Sequence, residues 1–189
     1  YTVNAIKDSG FDTCTGLTSV SIPNSVTSIG KEAFYDCANL MSISIPETVM
    51  SIGEGAFSFC TGLTSIDIPK NLTSIEYNVF YNCTSLTSID IPNSVTLIAQ
   101  TAFYGCSDVT SINIPESVTS IGDSAFGYSI SLETVTVAWT SSIPSISVSV
   151  FGASGGYETI NLIVPVGTVD TYNAAPVWSD FNITGTIYT

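Results

Sequence analysis

The sequence predicts a repeat solenoid, a stack of similar coils, because three chemically different residue types recur at one common spacing. Cysteine, phenylalanine and proline each return every 23 residues. Phenylalanine keeps this step from Phe11 to Phe126, and proline keeps it from Pro23 to Pro115. The cysteines in this register are Cys14, Cys37, Cys60, Cys83 and Cys106. A fixed period of this length indicates one structural unit copied along the chain.

The first element of the unit is a short β-strand, as residues 17–39 illustrate. Val20 and Ile22 alternate with serines, which is the two-residue period of a strand with one buried face. Pro23 follows directly and ends the strand, because proline has no N–H to donate to a ladder.

The rest of the unit supplies a second short strand and a helical turn. Ile29 is predicted to point inward from a second extended stretch, and Gly30 permits a sharp corner after it. Ala33, Phe34 and Cys37 follow at i, i+1 and i+4, so one helical turn would direct all three towards the core. The predicted solenoid therefore has 23-residue coils, with a parallel β-sheet on one face and short strands and helical turns on the other.

Stacking explains how each copy hides its apolar edge. One copy cannot bury that edge alone, but copies stacked about 4.8 Å apart through parallel strands can. We expect one continuous domain, with a partial repeat at 1–16, five regular repeats at 17–131, and degenerate repeats with a C-terminal cap at 132–189. Trp178 and Phe181 are predicted to plug the last coil, since an uncapped end would expose apolar core.

Charge and composition exclude several classes of partner. The chain has 16 acidic and 3 basic residues and a formal charge of −13, so neither nucleic acid nor an anionic membrane is an expected partner. Only 10% of residues are charged, and a surface rich in Ser, Thr and Asn favours a secreted or cell-surface protein. No apolar run approaches the roughly 20 residues of a membrane helix. The chain begins at Tyr1 without methionine or signal peptide, so we expect a mature or excised portion of a longer product, with signal and anchor outside it.

The residue types also argue against catalysis. Histidine is absent, which removes the usual general base and the commonest zinc ligand. The cysteines occur once per coil rather than as a CxxC-type metal site, and their parallel ladder and odd count argue against disulfides. We predict that all five are reduced, buried core thiols. No catalytic residue, cofactor or metal ligand is predicted.

Outward strand positions are the candidate binding residues. In successive copies they are Ser65, Asp67, Ser88, Asp90, Ser111 and Asn113. Asp67 and Asp90 are expected on neighbouring strands, where like charges repel. We favour a hydrated surface here. Two alternatives stay open: a weak calcium or ligand contact that includes Asn113, and a carboxylate pair at the ~5–5.5 Å separation of retaining glycosidases.

A second candidate surface lies on the side of the helical turns. Aromatic residues are expected to face outward there, and a row of them is a possible contact patch. They are Tyr35, Phe59, Tyr77, Tyr81 and Tyr104.

The unit resembles that of a known bacterial family. The pattern L-x-S-I-x-I-P-x-S-V-x-S-I-G-x-x-A-F-x-x-C is similar to the leucine-rich repeat of BspA-like surface proteins, also called the Treponema pallidum type. The copies that match it closely are residues 17–39, 40–62, 86–108 and 109–130. Residues 63–85 depart from it, because Glu76 replaces the glycine and Val79 the alanine. Ala99 also replaces the glycine of the next copy.

The resemblance implies a location and a broad role. The tail with Tyr172, Trp178 and Phe181 resembles the ending of such proteins from Bacteroides-like bacteria. The family is regarded as extracellular, and members are implicated in adhesion, host-protein binding and coaggregation. We therefore expect a non-enzymatic, adhesin-like module, extracellular or on a cell surface. It would present the outward strand positions named above to a host or bacterial surface protein or glycan.

Two other functions remain as alternatives. One is a structural stalk or spacer that displays another domain. The other is a hydrolase of surface glycans, which is disfavoured by the missing histidine and by the lack of a visible pocket.

Overall fold

The computed structural model describes residues 3–154 and 156–187. Residues 1, 2, 155, 188 and 189 lie outside the described part, so the predicted regions 1–16 and 132–189 are described without them. The described chain forms thirteen short strands. In chain order they are β1 (Ala5–Ile6), β2 (Ser19–Ser21), β3 (Ser28–Ile29), β4 (Ser42–Ser44), β5 (Ser51–Ile52), β6 (Ser74–Ile75), β7 (Ser88–Asp90), β8 (Leu97–Ile98), β9 (Ser111–Ile114), β10 (Ser120–Ile121), β11 (Thr134–Val137), β12 (Asn161–Pro165) and β13 (Asn182–Ile187).

One face of the solenoid carries the first strand of the repeats, and we call it the strand face. β2 and β4 form a two-stranded parallel sheet in which Ser19 pairs with Ser42. β7, β9, β11, β12 and β13 form a five-stranded parallel sheet, in that spatial order, in which Ser88 pairs with Ser111. These paired residues are one repeat period apart. The predicted solenoid, with a parallel sheet on one face, is confirmed.

The second strand of each repeat forms a narrower set of sheets. β1, β3 and β5 make one parallel sheet, and β6, β8 and β10 make another. Each strand is two residues long and ends in an isoleucine. Ile29 and Ile75 are each 2% exposed, so the inward direction predicted for this position is correct.

The segment after the second strand is a run of turns rather than the predicted helical turn. In residues 30–37 the local bonds span three residues, as where Cys37 N donates to Phe34 O at 3.3 Å, and alternate amides donate to the next coil, as where Phe34 N donates to Ala56 O at 2.8 Å. Glu32 and Asp36 have φ angles of 53° and 52°, which a right-handed helix excludes. Phe34 and Cys37 are nevertheless fully buried, so their predicted inward direction is confirmed although the helical turn is not.

A ladder of phenylalanine rings runs through the core. From Phe11 to Phe126, ring centroids of successive coils lie 5.1–5.6 Å apart and ring planes agree within 15°. Phe151 extends the ladder at 5.3 Å from Phe126, although it follows Phe126 by 25 residues in the sequence. Burying one such ring is worth about 1.5–3 kcal/mol, so the ladder is a principal source of stability.

The cysteines lie in the same core as free thiols. Cys37, Cys60, Cys83 and Cys106 are buried, as predicted. Cys14 is only half-buried, which corrects the prediction that all five are buried. Cys14 belongs to the first coil in the described part of the chain, so only one neighbouring coil covers its side chain.

Aromatic side chains fill the C-terminal end of the stack, where the chain forms helix α1 (Val169–Asn173) and short 3-10 helices at Tyr157–Thr159 and Trp178–Asp180. Trp178 and Phe181 are buried, and the Phe181 ring lies 5.3 Å from that of Phe151, the last rung of the ladder. Trp178 Nε1 donates to Pro144 O at 2.8 Å. Both rings are therefore part of the core and cannot serve as an exposed ligand platform. In the described chain, no helix combines the length and apolarity that crossing a bilayer requires.

Candidate functional site

The predicted binding residues are all exposed, but they do not all lie on strands. Ser65 and Asp67 belong to residues 65–68, which the described structure does not assign to any strand. The other four lie on strands: Ser88 and Asp90 on β7, Ser111 and Asn113 on β9. The expectation that Asp67 and Asp90 stand on neighbouring strands is therefore wrong for Asp67.

The strand face is interrupted at the coil of residues 63–85, which we call the open coil. Among the described residues, no backbone hydrogen bond joins 65–68 to the coil on either side. Just before this segment, Thr64 N reaches Met41 O only at 3.4 Å, and Thr87 N reaches Thr64 O only at 3.4 Å. The sheet of β2 and β4 and the sheet that begins at β7 are thus separated by a coil that pairs with neither.

The second sheet is also interrupted here, whereas the turns remain bonded. β5 and β6 belong to separate sheets. On its other side β5 pairs with β3, and β6 pairs with β8. On the turn side, Phe57 N donates to Val79 O at 2.9 Å and Phe59 N to Tyr81 O at 2.7 Å. The open coil is therefore held to the preceding coil through its turns and separated from it along both strands.

Glu76 gives one physical reason for this separation, because three other coils have glycine at its position, as Gly30, Gly53 and Gly122. A Cβ added to Gly53 would lie 2.6 Å from Lys31 N, on the backbone of the preceding coil, which is closer than packed atoms allow. Glu76 carries such a Cβ and a longer side chain. Ala99 N at the equivalent position still donates to Ile75 O at 2.8 Å, so a Cβ alone does not break the pairing between coils and a further cause is needed.

Added core volume near the strands is a further cause. Leu72 occupies the position of Val26 and Val49 in the preceding coils. It is only 2% exposed, so its extra methylene group must fit inside the stack. Overfilling a packed core displaces the backbone around it. Val79, which stands in place of an alanine, lies where the coils remain bonded, so we attribute the open coil to Leu72 together with the side chain of Glu76.

Side chains replace part of the missing ladder. Glu47 Oε2 accepts a hydrogen bond from Lys70 N at 2.7 Å, and Asn71 Nδ2 donates to Glu47 O at 2.7 Å. Within the described residues, Lys70 Nζ has no carboxylate oxygen within 4.0 Å. Further along, Asn113 Nδ2 donates to Asp90 Oδ1 at 3.2 Å, which compensates part of the charge of Asp90.

Three adjoining cavities lie along the open coil, and together they form what we call the strand-face groove. The first, of about 280 Å³, lies between β4 and Ser65–Asp67. The second, of about 370 Å³, adds Glu47, Lys70 and Asp90. The third, of about 350 Å³, extends from Lys70 and Asp90 to Asn113. The groove is open to solvent and leads to the unpaired backbone of residues 65–68.

The groove contains some of the predicted residues and others that the sequence did not indicate. Its lining includes Ser65, Asp67, Asp90 and Asn113. Ser88 and Ser111 are exposed on the same face but are not among its lining residues. Sequence reasoning missed Glu47, Ile66 and Lys70. The departures of residues 63–85 from the repeat were the available signal, because they mark the coil where stacking changes. In the described chain, no cluster of three or more carboxylate or cysteine side chains suited to hold a metal ion occurs.

The outward aromatic residues form a second row along the turns. Successive rings from Tyr35 through Phe59, Tyr81 and Tyr104 to Tyr128 lie 5.1–5.4 Å apart. Only Tyr81 and Tyr104 stack face to face, with ring planes 6° apart, whereas the other neighbouring planes are inclined by 43–65°. Tyr35, Phe59, Tyr81 and Tyr104 are each half-buried, so this row is less exposed than the charged residues of the strand-face groove, which we take as the candidate site.

Comparison with known sequence families gives one clear result. The family model described as the BspA type leucine rich repeat region matches in 6 copies, over residues 1–108 and 27–158. No match was found among curated proteins.

Solved structures with the same fold come from several bacteria. A leucine-rich repeat protein of T. pallidum is 29% identical, with a TM-score of 0.61, and the match covers 69% of this chain and 72% of that protein. A leucine-rich cell surface protein of Faecalibacterium prausnitzii is 25% identical, with a TM-score of 0.56, over 99% of this chain and 65% of that protein. The pneumococcal vaccine antigen PcpA has a TM-score of 0.71 at 18% identity, over 91% of this chain and 42% of that protein, which shows the common fold.

Proposed function

We propose a binding function for this chain, which belongs to the BspA-type leucine-rich repeat family. It acts as a non-enzymatic module, on a bacterial surface or in the extracellular space, and engages a host or bacterial surface protein or glycan through the strand-face groove. The family and the fold are those of repeat scaffolds. A named cell-surface protein among the structural neighbours supports the location.

The observation that carries this proposal is the groove itself. The strand face has serine or threonine at the outward positions of β2, β4 and β11, whereas the groove offers concave space, exposed backbone and both signs of charge. Asp67, Asp90 and Lys70 are exposed there on a scaffold whose core is continuous on the turn side. Recognition sites are typically concave and combine apolar surface with a few placed polar groups. The formal charge of −13 argues against a polyanionic partner.

Arrays of surface glycans and extracellular proteins test the proposal. The double variant Asp67→Asn/Asp90→Asn should lose the partner that the wild-type protein binds. Asp12→Asn/Asp108→Asn is the matched control, because both residues are exposed, the charge change is the same, and neither lines the groove. A partner lost equally with both double variants, or no partner at all, would count against the groove as a binding site.

A stalk that displays another domain is the second candidate. It is favoured by the partial coverage of longer neighbours, since the chain spans 42% of the pneumococcal antigen and 65% of the Faecalibacterium protein. If the chain is a stalk, substitutions in the groove should not change the binding of the whole protein to its target. The hydrolase hypothesis has less support, because Asp67 and Asp90 are both exposed and a catalytic acid needs a sheltered site that raises its pKa.

A further inference from the structure

The N-terminal end of the stack contains an incomplete coil. Residues 3–16 supply a second strand, β1, and the turns that carry Phe11 and Cys14. First-strand positions of the repeats are 23 residues apart, so the position one repeat before β2 lies outside the sequence. Within the described residues, β2 therefore pairs with β4 alone.

An apolar cavity of about 450 Å³ lies beside β2 at this end. β1 and Phe11, from the incomplete coil, form one part of its lining, and Val20, Ile22 and Val26, from the next coil, form another. Because the cavity spans both coils next to β2, it occupies the side on which the first strand of the incomplete coil would lie.

Apolar residues around the cavity are less covered than their counterparts one coil further along. Val20 is half-buried, whereas Ile43 is 7% exposed. Leu17 is half-buried too, whereas Leu40 is fully buried. Phe11, in the cavity lining, is 39% exposed. Apolar surface of this kind gains free energy when another segment covers it.

The backbone of β2 also has groups directed towards the cavity. Ile22 N donates to Ser44 O, in the following coil, at 3.0 Å. Alternate residues of a strand direct their N–H and C=O groups to opposite neighbours, so those of Ser19 and Ser21 face away from β4. Both residues are exposed. Strands of the stack lie on one side of β2 only, so the other side has room for a partner strand.

The interior of the stack shows which strand fits such a place. Between β7 and β9, Ser88 pairs with Ser111 and Ile89 with Ile112, in parallel and one repeat apart. Ile89 and Ile112 are 4% and 1% exposed. β2 pairs with β4 in the same register, so a strand ahead of β2 would continue an interface that the fold already uses.

We propose that this end of the stack is a strand-acceptor site, which binds an extended polypeptide segment with the pattern of the repeat's own first strand. That pattern is Ser-Ile-x-Ile-Pro, as in residues 88–92 and 111–115. The segment runs parallel to β2 and pairs with the backbone of Ser19 and Ser21. Its two isoleucines enter the cavity, because alternate side chains of a strand share one face. The site is at the end of the stack rather than in the strand-face groove, so it does not depend on the proposed function.

Binding of a fluorescent peptide to the wild-type protein, measured by anisotropy, is the direct test. The peptide has the sequence of residues 110–115, Thr-Ser-Ile-Asn-Ile-Pro. The control peptide, Thr-Ser-Asn-Ile-Ile-Pro, has the same composition, but in any register only one of its adjacent isoleucines faces the cavity. We expect saturable binding of the first peptide and at least about tenfold weaker binding of the control. Equal affinity of the two peptides, or no binding of either, would overturn the proposal.

Two variants of one residue test the pairing with β2. Ser21→Pro removes an N–H that faces the cavity and places the proline ring there, which an edge strand tolerates. Ser21→Ala is the matched control, because it shortens the same exposed side chain and keeps the N–H. Affinity for the first peptide should fall at least about tenfold in Ser21→Pro and stay within about twofold in Ser21→Ala. Equal affinity of the two variants would refute pairing with β2.

Hydrogen exchange and sedimentation examine the other possible occupant, a second copy of this chain. We expect a monomer in which the amide of Ser21 exchanges freely and becomes protected when the first peptide is added. A Ser21 amide that is already protected in the free protein would overturn the proposal. A dimer that the peptide does not dissociate would overturn it too, because a second copy would then cover this end. If Ser21→Pro fails to fold, the comparison of the two peptides on the wild-type protein still decides the case.

Discussion

The Sγ of Cys60 lies 3.1 Å from the carbonyl oxygen of Phe34, 26 residues earlier, and the thiol donates to it. The contact repeats along the stack with the same offset. The other pairs are Cys37 with Phe11 at 3.1 Å, Cys83 with Phe57 at 3.1 Å, and Cys106 with Phe80 at 3.4 Å. Each thiol therefore ties its coil to the previous rung of the ring ladder. Beyond the cysteines, the Oγ of Ser129 has no hydrogen-bond partner among the described residues. One coil further along, Ser154 Oγ donates to Phe126 O at 3.1 Å.

Thiol reactivity should distinguish Cys14 from the other cysteines. Cys14 is half-buried and the remaining four are buried, so a maleimide should modify Cys14 first in the native protein. Burial raises the pKa of Cys83 well above its usual value, which keeps that thiol protonated and unreactive. After denaturation all five should react. A mass spectrum that shows a disulfide between Cys37 and Cys60, or between any neighbouring pair, would contradict this prediction.

Stability should fall at alkaline pH. Burial raises the pKa of Cys60 and of Cys106 from 9.0 to about 12. The unfolded chain therefore loses these protons first, and the stability they contribute is complete below about pH 9 and disappears as the pH rises towards 12. Melting temperatures should decline between about pH 9 and pH 12.

The comparison variant for this alkaline effect is Cys60→Ala. Burial also raises the pKa of Tyr172, which contributes to the same trend, so the slope of melting temperature against pH is the quantity to compare. The variant starts from lower stability, but its slope should be shallower because one buried thiol is gone. Identical slopes in the two proteins would show that Cys60 does not contribute.

Phe80→Ala should destabilise the protein far more than Asp67→Asn. The Phe80 ring stacks between those of Phe57 and Phe103, at 5.6 and 5.1 Å, so its removal leaves a cavity that costs about 3–5 kcal/mol. Asp67 is exposed and outside the strands, so its change should stay within about 0.5 kcal/mol. Urea denaturation measures both. Equal losses would mean that the inward and outward positions are assigned wrongly.

Gly53→Ala should cost stability, and Gly16→Ala should not. A Cβ at Gly53 would lie 2.6 Å from Lys31 N, whereas a Cβ at Gly16 has no atom within 4 Å. We expect a loss of about 1–3 kcal/mol at Gly53 and a change near zero at Gly16. If Gly53→Ala melts like the wild-type protein, close approach at this corner is not the reason for glycine, and the explanation given for Glu76 loses its basis.

Calcium should leave the melting temperature unchanged at millimolar concentration. Asn113 directs its Nδ2 donor towards Asp90 Oδ1, and two carboxylates with one amide supply only part of the roughly 6–8 oxygen ligands that calcium prefers. Melts with and without calcium should therefore coincide. A calcium-dependent rise that Asp90→Asn abolishes would instead establish a metal-dependent site on the strand face.

The sequence by itself determined the repeat, the direction of its side chains and the exposure of the candidate residues. Phe34 and Cys37 are buried and Asp90 is exposed because the spacing of apolar residues within one coil decides which side faces the stack. Every regular coil repeats that local environment, so one unit is enough to predict the others. Tyr35 and Phe59 follow the same rule on the turn side.

Only the tertiary structure decided how far apart the coils lie, and with it the groove. That separation depends on the volume of buried residues such as Leu72 and on the room left at Glu76. The contacts of Glu47 with Lys70 and Asn71 also follow from that separation rather than from any local pattern. The position of the candidate site was therefore set by packing between coils, which no single repeat unit contains.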